Sequence, residues 1–182
     1  GRSARRPSIA NGVMTTFPTG WVMGAFEYRQ AEEIRDQFAA HAVEYLFLGK
    51  SGAILLGFPD TTQDADLFVR KTPDNGRAVV AALRKLGFAI TEGQAAEIEH
   101  GKDFVQLKNG PFDLDLVFAP DGIERFEDAW NRRIEVAGFP VCHLDDIIAS
   151  KEATGRRKDR ESLPRLKSFR DYWLGIKGDA AH

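Results

Sequence analysis

Residues 45–56 read YLFLGKSGAILL, and residues 64–69 read DADLFV. The apolar run that opens the first stretch predicts a buried strand, Gly49 ends that strand, and a short helix follows it. Residues 57–62 are typical of a loop, and the second stretch predicts another strand. The order strand, glycine turn, helix, loop and strand indicates a chain that combines helices with a sheet.

Outside this stretch, hydrophobic periodicity predicts further elements. Helices are expected near 28–43, 73–86, 123–130, 144–154 and 160–173, and further strands at 88–91, 104–107 and 112–118. The dipeptide Asn109-Gly110 predicts an antiparallel hairpin between the last two strands, because both residues tolerate positive φ. We therefore expect one α/β domain over residues 28–176, a mixed sheet flanked by helices, with the C-terminal helices at 144–174 as a candidate subdomain.

Residues 1–27 begin with a basic segment that contains Pro7 and Gly12 and has no hydrophobic periodicity. We expect these residues to be an N-terminal tail outside the fold, with Met14 as a candidate native start.

Composition limits the class of protein. The 182 residues include 25 Lys and Arg, 27 Asp and Glu and a single cysteine, Cys142. One cysteine cannot form an internal disulfide, which favours a buried thiol in a reducing, cytoplasmic protein. No apolar run approaches the ~20 residues of a membrane span. The near-neutral charge removes any general electrostatic argument for nucleic-acid binding, although a local basic patch remains compatible with it.

Four aspartates form the clearest chemical pattern. Asp64 and Asp66 lie two residues apart on a predicted strand, so both carboxylates face the same side of the sheet, and Asp113 and Asp115 repeat the pattern on another strand. Burying such acids costs several kcal/mol each, by a rough estimate, unless a cation compensates their charge. A site of oxygen ligands without His or Cys suits Mg²⁺ or Mn²⁺. The alternative is that the strands are half-exposed and the acids face water.

Two further groups are candidate phosphate contacts. Gly49 and Ser51 stand where a strand turns into a helix, and free backbone N–H groups at such a turn attract phosphate. A Walker P-loop is excluded, because it requires glycine five residues before Gly49, where the chain has Glu44. Lys151 follows Leu144 at the spacing of an apolar helix stripe and should face the core edge or a cleft; a snorkelling lysine is the alternative.

Basic residues cluster after this helix. Arg156, Arg157, Lys158 and Arg160 are followed by Arg165, Lys167 and Arg170. A solvated helix face explains them, and so does an electrostatic contact with RNA or with the phosphates of an NTP.

Four motifs in this order resemble the nucleotidyltransferase-fold superfamily, the polymerase-β-like group, and within it the small bacterial proteins related to the AbiEii toxin. The motifs are Gly49-Lys50-Ser51-Gly52, Asp64-Ala65-Asp66, Asp113-Leu114-Asp115 and the segment Lys151–Asp159. The resemblance covers residues 28–166. The second glycine of the family's turn is replaced here by Lys50.

The resemblance implies a site and a reaction. Asp64, Asp66 and Asp115 would hold two Mg²⁺ or Mn²⁺ ions, with Asp115 preferred to Asp113 as the third carboxylate. An NTP would contact Gly49, Lys50, Ser51, Lys151 and Arg157, and its NMP would pass to a hydroxyl of a tRNA, a protein or a small molecule. The setting would be cytoplasmic, and a toxin with an antitoxin partner fits the relatives.

Two other hypotheses remain open. Lys50 in the glycine turn motivates a catalytically silent relative that serves as a nucleotide-binding or protein-interaction module. RNA binding through the basic C-terminal helices alone is the third hypothesis, but it leaves the aligned acids unexplained.

Overall fold

The computed structural model describes residues 8–10, 13–15 and 26–180. It confirms the mixed α/β class, with helices on a mixed sheet and two helices at the C-terminal end. The helices are α1 Tyr28–Ala40, α2 Gly49–Leu55, α3 Pro73–Lys85, α4 Glu92–His100, α5 Phe126–Arg132, α6 Leu144–Thr154 and α7 Arg157–Ala180. The strands are β1 Ser8–Ala10, β2 Val13–Thr15, β3 Tyr45–Leu48, β4 Asp64–Val69, β5 Phe104–Leu107, β6 Asp113–Val117, β7 Ile134–Val136 and β8 Phe139–Val141.

The main sheet has the order β5-β6-β4-β3-β8-β7. β4 runs parallel to β6 and antiparallel to β3, and β3 runs parallel to β8. Every residue of β3 is buried, as its continuous apolar run predicts for a strand covered on both faces. Because β3 ends where the antiparallel β4 begins, the glycine turn after Leu48 lies beside the aspartates of β4.

The N-terminal segment contains two short strands that the sequence did not predict. β1 and β2 pair antiparallel, with Ile9 opposite Met14, in a segment whose composition gave no sign of a strand. The other residues before Phe26 lie outside the described part. Phe26 is buried and donates its backbone N–H to the carbonyl of Thr62 over 2.9 Å, so packing against the core begins two residues before α1.

The segment between α3 and β5 also differs. The predicted edge strand at 88–91 is wrong: no strand forms there, and Ile90 packs into the core from a loop that leads into α4. Thr91 caps α4 by accepting from the N–H of Gln94, whose side chain in turn accepts from the N–H of Thr91. A capping box of this kind is a sequence signature of a helix N-terminus. Ile98 is the one buried residue of α4. Because the helix buries so little, its hydrophobic periodicity is weak, and the sequence analysis did not predict it.

The hairpin of β5 and β6 is confirmed, but its turn works differently from the prediction. Neither Asn109 nor Gly110 has positive φ. A Cβ on Gly110 would lie 2.2 Å from the ring of Phe88, so the glycine is required by close packing instead.

The C-terminal helices follow the predicted pattern. α6 has the expected bounds and ends at Gly155 in the left-handed conformation, whereas α7 begins at Arg157 and continues beyond Trp173. Leu163 and Leu166 of α7 belong to the same buried core as the sheet. Within the described part of the chain, no helix combines the length and the apolar composition that crossing a membrane requires.

Candidate functional site

The parallel pairing of β4 and β6 brings the predicted aspartates together. Asp66 lies opposite Asp115, and Asp64 lies opposite Asp113. Residues at paired positions face the same side of a sheet, so all four carboxylates share one face. Asp115 is only 8% exposed. The alternative that the acids simply face water therefore does not hold for Asp115.

The side chains of Asp66 and Asp115 lie close enough for each to shift the pKa of the other. Burial, followed by the charge and hydrogen bond of Asp115, raises the pKa of Asp66 well above its usual range. Burial also raises the pKa of Asp115, while hydrogen bonds from Asp66 and Gln106 act in the opposite direction. The pair is stabilised by a proton or by another positive charge, because two buried carboxylates in contact repel each other when both are ionised.

One oxygen of this pair has no partner. Oδ1 of Asp115 is buried and makes no hydrogen bond, an arrangement that costs free energy unless a ligand satisfies it. Among the described residues, no three His, Cys, Asp or Glu side chains converge as a metal-binding group. The structure therefore assembles a pair of carboxylates, with Asp64 close enough to raise the pKa of both.

Gly49 contacts this pair through its backbone. Its φ is +62°, and a Cβ there would lie 2.2 Å from Oδ2 of Asp66. Only glycine fits, for both conformational and steric reasons. The hydroxyl of Ser51 donates to the carbonyl of Leu48 over 2.9 Å and accepts the N–H of Asp66 over 3.1 Å. Ser51 thus fixes the turn to β4, and its hydroxyl proton is already used.

The carboxylate pair opens into a cleft of about 330 Å³. One wall comes from α6 and the residues after it, and the opposite wall comes from the start of β5 and the loop after β6. The cleft is lined by Leu48, Gly49, Asp66, Asp103, Phe104, Asp115, Val117, Ala119, Pro120, Asp121, Ser150, Lys151, Thr154 and Arg156. Lys151 thus lies on the cleft side of its helix, and its charge opposes the rise in the pKa of Asp66.

Four of the predicted site residues do not line this cleft: Asp64, Lys50, Ser51 and Arg157. Asp64 lies on the same face of β4 as Asp66 but nearer the start of the strand. Arg157 is exposed, and its guanidinium lies 3.4 Å from Glu161 on the surface of α7. Lys50 pairs with Asp60 over 3.3 Å. Arg157 lies outside the cleft because it is the first residue of α7 and its side chain lies on the exposed surface of that helix.

Sequence reasoning missed Phe104, which lines the cleft, and Gln106, whose side chain opposes the rise in the pKa of Asp115, and it did not single out Arg156, which also lines the cleft, within its basic cluster. Gln106 lies opposite Asp115, and the predicted hairpin already placed their strands side by side. The register that pairs these two residues could not be predicted from the sequence, because the turn is longer than the Asn-Gly dipeptide suggests. Arg156 had no separate signal within its basic cluster.

We expect Asp66→Asn to stabilise the apo protein at about pH 8, with the gain vanishing near pH 4. The folded chain holds the Asp66 proton more tightly than the unfolded chain, so the stabilisation by this proton is complete below the unfolded pKa of about 3.9. It is lost as the pH rises through the raised folded pKa. The Asn variant avoids that loss. Thermal unfolding in EDTA should show a gain of about 1 kcal/mol or more, roughly 2–4 °C in Tm; a gain independent of pH would contradict it.

The likeness to the nucleotidyltransferase-fold superfamily rests on short motifs. At least one residue from each of the four motifs lines the cleft, among them Gly49, Asp66, Asp115 and Lys151. No family model, curated protein or solved structure matches the chain.

Proposed function

We propose that this chain is a Mg²⁺-dependent nucleotidyltransferase, which transfers an NMP from an NTP to a hydroxyl of an acceptor. The observation that carries the proposal is the pair formed by the half-buried Asp66 and the buried Asp115, packed against the positive-φ turn at Gly49, with Oδ1 of Asp115 unpartnered. Such a pair is costly to keep in a fold and has no evident structural use. It is explained by a ligand that brings positive charge.

The side chains present fit a hard cation such as Mg²⁺ or Mn²⁺. The donors are carboxylate oxygens, and Asp66 and Asp115 would hold the metal, with Asp64 adjacent. Mg²⁺ is commonly held by one or two carboxylates together with substrate phosphates, so two carboxylates suffice when the NTP arrives with the ion. When bound, Mg²⁺ would neutralise charge on the triphosphate and favour the ionised form of the acceptor hydroxyl.

The remaining groups in the cleft have distinct roles. The absence of a side chain at Gly49 leaves room for the Asp66 carboxylate, and Lys151 and Arg156 of the cleft lining supply positive charge for the phosphates. Oδ1 of Asp115 accepts the proton of the acceptor hydroxyl, whose oxygen then bonds to the α-phosphorus. The bond from that phosphorus to the leaving pyrophosphate breaks in the same step.

The acceptor classes are those that the family resemblance implies: a tRNA, a protein or a small molecule. A cytoplasmic toxin with an antitoxin partner is the setting that we propose, by resemblance to the relatives alone. Arg157 is left out of the proposed nucleotide contacts, because its side chain pairs with Glu161 outside the cleft.

Titration calorimetry tests the triphosphate site. We expect one or more NTPs to bind in the presence of Mg²⁺ and not in EDTA, because the carboxylate pair repels a bare triphosphate. Asp66→Asn/Asp115→Asn should abolish the Mg²⁺-dependent binding. Asp113→Asn is the matched control. It removes an acid from the same strand and the same face as Asp115, but outside the cleft. Binding that ignores Mg²⁺, or survives in the double variant, would contradict the metal assignment.

A catalytically silent nucleotide-binding module is the second candidate. It is favoured by the pair, rather than trio, of converging acids among the described residues. It predicts Mg²⁺-dependent NTP binding without pyrophosphate release in the presence of any acceptor. Transfer of a labelled NMP to a natural acceptor would eliminate it.

A further inference from the structure

Lys50 departs from the glycine expected at its position, and the structure shows where its charge goes. Its Nζ lies 3.3 Å from Oδ2 of Asp60, in the loop between α2 and β4. The two side chains are only 20% and 21% exposed. An ion pair this sheltered from water is screened less than a surface pair and holds its geometry better.

Asp60 is itself held in place from two sides. Its Oδ1 accepts the backbone N–H of Thr61 over 2.7 Å, and Arg165 of α7 reaches its Oδ2 over 3.3 Å. Arg165 also donates to the carbonyl of Pro59 over 3.0 Å and lies over the ring of Phe58. Although burial opposes ionisation, the Thr61 hydrogen bond and the charges of Lys50 and Arg165 keep the pKa of Asp60 below its usual value. Asp60 is therefore a fixed anion.

The position of Lys50 gives this anion a consequence for the cleft. Lys50 directly follows Gly49, whose backbone touches the carboxylate of Asp66. A lysine has a flexible four-carbon stem, and an ammonium without a partner at this point would be drawn to the carboxylate pair. There it would compete with any cation for the same oxygens.

We propose that Asp60 is a positioning residue that holds the Lys50 ammonium away from the pair of Asp66 and Asp115, and so keeps that pair available to a cation and its bound triphosphate. This inference rests on the proposed function and deepens it. It also accounts for a lysine in the glycine turn: the neighbouring loop supplies the carboxylate that captures its charge.

The test is a double-mutant cycle on the full chain, with the affinity for ATP in saturating Mg²⁺ as the readout. Asp60→Asn keeps the shape and the acceptor for Thr61 but loses the charge, and should weaken binding about tenfold. Lys50→Met keeps the stem but removes the ammonium. Combined with Asp60→Asn, it should restore the affinity of Lys50→Met alone, because the competing charge is gone. Asp171→Asn, which removes an exposed acid from α7, should leave affinity unchanged.

Equal losses from Asp60→Asn with and without Lys50 would assign Asp60 a purely structural role in the loop and overturn the proposal. A loss of affinity in Asp60→Asn that is too small to measure would also overturn the proposal. A crystal structure of Asp60→Asn separates this failure from failure of the proposed function. Lys50 Nζ within about 4 Å of the Asp66 carboxylate supports the positioning role even if no NTP binds, and an Nζ that remains beside residue 60 overturns it.

Discussion

Asp66→Asn is expected to lower NMP transfer by about 100- to 1,000-fold, a rise of roughly 2.7–4 kcal/mol in the activation barrier. Asn matches the shape of the carboxylate, and its amide can donate a hydrogen bond to Asp115. The variant therefore keeps the site assembled while it removes the negative charge. Transfer of label from an α-labelled NTP to an acceptor that the wild type modifies is the measurement.

Stability and activity should respond to Asp66→Asn in opposite directions. The same substitution that removes activity is expected to raise Tm at alkaline pH, because a buried acid with a raised pKa destabilises the fold once it ionises. Loss of activity with a lower Tm would instead indicate damage to the fold. Asp113→Asn provides the activity control, and retention of full transfer by Asp66→Asn would refute the assignment.

Gly49→Ala is expected to remove Mg²⁺-dependent NTP binding and to destabilise the chain. The left-handed conformation at φ +62° costs an alanine about 1–3 kcal/mol. The added Cβ would also lie 2.2 Å from Oδ2 of Asp66 and would push the carboxylate from its place beside Asp115. Calorimetry of unfolding should show a Tm lower by several degrees, at roughly 2–4 °C per kcal/mol.

Gly155→Ala is the matched control for this prediction. Gly155 ends α6 with φ +63°, nearly the same as Gly49, but a Cβ there meets nothing within 4 Å. The two variants therefore share the backbone strain and differ in the contact with Asp66. Gly49→Ala should cost more stability than Gly155→Ala, and it alone should abolish NTP binding. Equal effects would mean that the contact with Asp66 is unimportant.

Local patterns in the sequence predicted much of this fold. The bounds of β3, β4 and α6 follow from apolar runs, alternation and a glycine stop, all of which depend on residues within one or two turns of each other. The two failures have different causes. α4 buries little and so shows weak periodicity, and Gly110 is required by contact with Phe88, which lies 22 positions earlier in the sequence.

Alternation along each strand sufficed, from sequence alone, to put Asp64 with Asp66, and Asp113 with Asp115, on common faces. Only the tertiary structure decided that β6 lies beside β4 in a register that sets Asp115 against Asp66. It likewise decided that Arg156 rather than Arg157 lines the cleft and that Lys50 pairs with Asp60. The physical reason is range: the direction of a side chain follows from the local backbone, whereas its partners follow from packing between segments far apart in the chain.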